Sequence, residues 1–109
     1  MSKVERGAVR VSSPIEATIE ARGAALEARI EDISEMGVYA GTLSPLPAGE
    51  AVILTFTLPG ETGESPIRCK ASVVWTEANA GMALRFEELG DLDRERVKFF
   101  VADTFFGKA

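Results

Sequence analysis

A chain of 109 residues is long enough for one hydrophobic core and too short for two domains. Its 46% apolar and 27% charged content excludes a disordered chain, and a net charge of −5 argues against nucleic acid or an anionic membrane as the main partner. The absence of histidine removes His-based triads and His-ligated metals, and a lone cysteine removes an internal disulfide.

The first residues, Met1-Ser-Lys-Val-Glu5, start with charge and have no apolar core of a signal peptide. No apolar run in the chain approaches the roughly 18–20 residues of a membrane helix, so cytoplasmic residence is expected. Residues 1–10 carry Lys3, Arg6 and Arg10 against Glu5, a basic segment on an acidic chain with little to pack. It reads as a flexible N-terminal arm, followed by a folded unit over residues 11–109.

Strand-type alternation then dominates. Ile15, Ala17 and Ile19 alternate with Glu16, Thr18 and Glu20, and Arg22-Gly23 breaks the run as a hairpin turn. Leu26, Ala28 and Ile30 continue the pattern, and Val38 to Leu43 forms a third, shorter strand. A Pro/Gly loop over Ser44 to Gly49 precedes Val52, Leu54, Phe56 and Leu58, and Pro59-Gly60 closes that strand. Ile67, Cys69, Ala71, Val73 and Trp75 share one face of the fifth strand; Met82, Leu84 and Phe86 share one face of the sixth. Cys69 has core parity there, as a packing residue rather than a nucleophile. From Asp91 the period becomes helical, with Val97, Phe100, Val101, Thr104 and Phe105 on one face and Asp91 or Asp93 at the start as a cap. The expected architecture is a six-stranded antiparallel β-barrel with a C-terminal helix.

Two short clusters stand out. Arg6-Gly-Ala-Val-Arg10 offers two guanidinium forks, which match phosphate oxygens and stack on flat rings. Asp32-Ile-Ser34-Glu-Met-Gly37 offers a carboxylate, a hydroxyl and a glycine where a strand meets a turn. Strict alternation would bury Asp32 and Ser34 behind Ile30, which is costly for an unpaired carboxylate. A bulge near Glu31–Asp32 would return Ile33 to the core and turn Asp32 and Ser34 outward together. Gly37 would then serve a turn with positive φ or the close approach of a flat ligand.

These clusters resemble the RxxxR and [D/N]xSxxG signatures of PilZ domains, bacterial receptors for cyclic diguanylate. Val73-Val-Trp75 and Gly81-Met-Ala-Leu-Arg-Phe86 resemble the family's fifth and sixth strands, so the likeness runs from about Glu5 to Val101. The resemblance implies a PilZ-like barrel and assigns Arg6 and Arg10 to the phosphates and guanine faces of cyclic di-GMP. It gives Asp32 and Ser34 the guanine edges, and has Gly37 leave room for the ligand. It implies a binding module that regulates an effector protein, not an enzyme, with no cofactor beyond the nucleotide. The alternative is a PilZ-like interaction module that does not use the nucleotide. Phe99 and Phe106, seven apart on a second flank of the helix, mark a surface for a partner or for a homodimer.

Overall fold

The computed structural model describes residues 9–61 and 65–107. Six strands, β1 (Val11–Ala21), β2 (Ala24–Ile33), β3 (Gly37–Gly41), β4 (Ala51–Phe56), β5 (Ile67–Glu77) and β6 (Gly81–Glu88), precede one helix, α1 (Asp91–Phe105). Every ladder is antiparallel, and the order β1-β2-β3-β6-β5-β4 closes through pairing of β1 with β4. Closure leaves no strand edge open along the sheet, which suits a small all-β domain.

The interior is the set that alternation selects. Ile19, Ile30, Leu54, Ile67 and Met82 are fully buried, and Cys69 lies among them. The β1–β2 turn holds Arg22 at φ 56° and Gly23 at φ 78°, the left-handed pair that a two-residue hairpin loop requires. Glu50 holds the turn from outside, accepting hydrogen bonds from Arg22 Nε and Nη2 at 2.7 Å each.

The helix adds Val97 and Val101 to the same core, with Phe100 packed beside them. Its N-cap is Gly90, with no side-chain capping bond, so neither Asp91 nor Asp93 caps the helix as expected. Both sit inside the first turn, where the macrodipole favours negative charge. Arg96 ties the helix down. It donates to Glu61 Oε1 at 2.6 Å, to the Ser65 carbonyl at 2.8 Å and to Asp93 Oδ1 at 2.8 Å.

Two residues expected in the core lie outside it. Phe105 is 57% exposed and meets Phe106 edge-on, ring centroids 5.1 Å apart. Each four-residue step drifts about 40° around a helix, so the line from Val97 through Val101 has left the packed face by Phe105. Trp75 is 49% exposed. The β5–β6 register slips between Val73 and Trp75, making Val74 an extra residue that swings the indole to the outer wall.

Candidate functional site on the outer barrel wall

Three bulges build the site. Against β2, strand β1 carries one extra residue between Ser12 and Ile15, next to Pro14, which has no N–H to give the ladder. Against β3, strand β2 carries Glu31 as its extra residue, so the expected bulge is present and Ile33 returns to the core. The third is Val74. Each falls near one end of the β2–β3 turn or opposite it, and together they decide which side chains face out.

Arg10 immediately precedes Val11, whose ladder partner is Ile33, so strand pairing carries it alongside Ser34. Its Nε donates to Asp32 Oδ1 at 3.0 Å and its Nη2 to the same oxygen at 2.5 Å. Nη1 stands 3.5 Å from Ser34 Oγ. Both partners of the ion pair are about one-third exposed. The other half of the first cluster, Arg6 with Gly7 and Ala8, lies outside the described residues.

Ser34 corrects the expected outward turn of both polar residues. Asp32 does reach the surface, but Ser34 is fully buried. Its hydroxyl accepts the Met36 N–H at 3.0 Å, and its own N–H donates to the Gly37 carbonyl at 2.9 Å. The turn is fastened to β6 as well, through the Phe86 N–H to the Met36 carbonyl at 2.9 Å. A small hydroxyl that accepts a turn N–H has a partner inside the wall, which lowers the cost of its burial.

Gly37 lines the recess beside this turn but does not take the positive φ that is one of the two reasons expected for a glycine there. A β-carbon built there would overlap the carbonyl oxygen of Leu84 on β6. The missing side chain lets β3 lie against β6, where Gly37 pairs with Arg85.

Between this turn and β5–β6 lies a recess of about 330 Å³, lined among others by Arg10, Met36, Trp75 and Arg85. Trp75 leans on Tyr39, centroids 5.6 Å apart with planes at 39°. Tyr39 donates its hydroxyl to Glu77 Oε1 at 2.8 Å, and burial together with that bond pushes its pKa up to about 12. A larger concavity of about 870 Å³ lies across β1, β4 and β5. Its charged groups answer one another: Arg22 with Glu50, Glu20 with Arg68, Lys70 with Glu88, and Glu87 with Ser72. Arg10 and Arg85 in the smaller recess are paired as well, with Asp32 and with Glu87. What makes it the candidate site is that two guanidinium groups and an indole line one recess beside the second cluster. Planar cations and a ring face suit an anionic, aromatic ligand.

The structure brings Arg10, Asp32 and Ser34 together, with Ser34 buried, and sets Trp75, Tyr39 and Arg85 nearby, three residues not singled out from the sequence as site residues. The available signal was Val73-Val74-Trp75, three consecutive bulky apolar residues where strict alternation allows only two inside.

The chain belongs to the PilZ domain family, whose model matches residues 5–103. No curated protein matches it. Among solved structures it is similar to the Bacillus subtilis inhibitor of motility (MotI/DgrA), at 20% identity and TM-score 0.81, over 97% of this chain. It spans 54% of that protein, about half its length. It also resembles the PilZ domain with c-di-GMP of YcgR from Escherichia coli, at 14% identity and TM-score 0.72, covering 95% of this chain and 94% of that one. A third likeness is the PilZ domain of CeSA from a cellulose-synthesizing bacterium, at 19% identity and TM-score 0.57, over 90% and 95% of the two chains. These likenesses establish a PilZ-type barrel. Burial first, and the charge of Asp93 second, push the Cys69 thiol up to about 11.

Proposed function

We propose that this chain is a cytoplasmic receptor for cyclic di-GMP that regulates a partner protein. The observation that carries this reading is Arg10, held by Asp32 at 2.5–3.0 Å beside Ser34, at the lip of the recess that Trp75 and Arg85 share. A cyclic dinucleotide presents phosphates for guanidinium forks and purine faces for the indole, so this arrangement matches both halves of its chemistry. Family membership and the likeness to a YcgR domain carrying c-di-GMP support the same ligand. Arg6, four residues before Arg10 in the sequence, supplies the second fork in this reading. Regulation of a partner protein is supported by the likeness to an inhibitor of motility.

The test is calorimetric titration of the purified protein with cyclic di-GMP, read in parallel by fluorescence. Trp75 is the one tryptophan in the chain and lines the recess, so its emission reports occupancy directly. Saturable heat with a matching emission change is the expected result. Absence of both at low salt would sink the receptor reading.

A further inference from the structure

Along its outward face β6 runs Gly81, Ala83, Arg85, so the first part of that face is nearly bare of side chains. Tyr39 of β3 and Trp75 of β5 are the ladder partners of Ala83 on its two sides. With only a methyl group between them, the two rings lean together across β6, centroids 5.6 Å apart. The phenol runs on over Gly81, where a β-carbon would stand 2.7 Å from its hydroxyl oxygen. That hydroxyl donates to Oε1 of Glu77, itself the ladder partner of Gly81, at 2.8 Å. The ring is thus tied to β3 by its own backbone and to β5 by a hydrogen bond.

We propose that Tyr39 and Glu77 are positioning residues for the nucleotide, an assignment that rests on the receptor reading of the recess. Together they brace the back of the Trp75 indole and hold its front ready for a purine. Trp75 and Ala83 line the recess whereas Tyr39 does not, so the phenol supports the indole from the side away from the ligand. Trp75 needs that support. It is 49% exposed and directly follows Val74, the extra residue of a bulge. An exposed ring beside a bulge is free to turn about its side-chain torsions, and a base stacking on it must take that freedom away. A ring already held loses less. Burial and the bond to Glu77 both favour the protonated phenol, so Tyr39 keeps the hydrogen it donates.

The effect is the saving in order that the brace provides. Immobilising one side chain at a binding surface corresponds to roughly threefold to tenfold in affinity. Neither Tyr39 nor Glu77 touches the ligand in this arrangement, so the whole of the effect passes through the indole. A residue that merely stabilised the β3–β6–β5 wall would act whether or not the indole were present.

Titration with cyclic di-GMP, combined with time-resolved anisotropy of the single tryptophan in the free protein, tests it. Glu77→Ala is expected to bind roughly threefold to tenfold more weakly than Glu77→Gln, which is equally neutral but keeps an oxygen to accept the phenol. Tyr39→Phe, which keeps the ring and loses the bond, should weaken binding to the same extent relative to the wild type. Both weakened variants should show faster motion of the indole before ligand is added, while Glu77→Gln matches the wild type. In a Trp75→Leu background, Glu77→Ala and Glu77→Gln should bind alike. A wild type that binds no nucleotide ends the receptor reading and this proposal together. A wild type that binds, with Glu77→Ala equal to Glu77→Gln in affinity or in indole motion, overturns the brace alone. So does a loss of the same size with and without Trp75.

Discussion

Arg10 and Asp32, twenty-two residues apart, form one unit: two guanidinium nitrogens converge on a single carboxylate oxygen. The pair locks the segment before β1 onto the strand it will flank. If the site binds cyclic di-GMP as proposed, Asp32 acts on the ligand at least partly through the arginine it aims. Arg10→Ala should then weaken binding by about 1.5–3 kcal/mol, roughly tenfold to a hundredfold. Asp32→Ala should weaken it in the wild type and add little in the Arg10→Ala background. Titrating the four proteins of this cycle decides the matter. Full additivity would return Asp32 to an independent contact with the ligand.

The second prediction concerns Gly37. Gly37→Ala places a methyl group against the Leu84 carbonyl, and neither backbone can swing aside as a side chain could. A loss of about 2–3 kcal/mol in urea unfolding is expected, with the midpoint lowered and the slope unchanged. A stable Gly37→Ala protein would show that β3 and β6 can separate without cost.

A third prediction follows from Cys69. Its thiol is raised from an ordinary 9.0 to about 11, so the folded state favours the neutral form. The contribution is fully present below about pH 9, where both states are protonated, and is lost as pH rises toward about pH 11. Stability should fall by about 2 kcal/mol over that window. Tyr39, raised to about 12, extends the decline to higher pH. Cys69→Ala should be less stable at neutral pH yet lose less between those limits, as measured by urea midpoints across the range.

The fourth prediction concerns the helix anchor. Arg96 donates to Glu61, Asp93 and the Ser65 carbonyl from a largely covered position. Arg96→Ala removes three partners at once and should cost about 2 kcal/mol. Amide exchange should quicken along α1 before it does in the barrel strands. Equal protection in variant and wild type would show that Val97 and Val101 alone secure the helix.

The sequence made the barrel readable because its strands are amphipathic and their turns carry Gly, Pro and Asn. Ile33 even exposed the bulge at Glu31, since its parity conflicts with that of Ile30. Trp75 hid the bulge at Val74, because an apolar residue raises no objection to either face. Ser34 misled for the opposite reason. A hydroxyl looks solvent-facing in a pattern of polar and apolar letters, while the Met36 N–H that accommodates it inside is a backbone group with no letter of its own. Phe105 strayed because helical drift depends on the three-dimensional axis, and the stripe was longer than the surface it covers.

The recess lies on the outside of a barrel whose inside is filled by Ile19, Ile30, Leu54 and Met82. A molecule settling there need not wait for strands to part, so its arrival is limited by diffusion and by the arrangement of a few surface side chains. On the proposed reading the message would be equally external. With the interior close-packed, a bound nucleotide would rewrite the charge and contour of one wall, and a partner would have to read that wall by touching it.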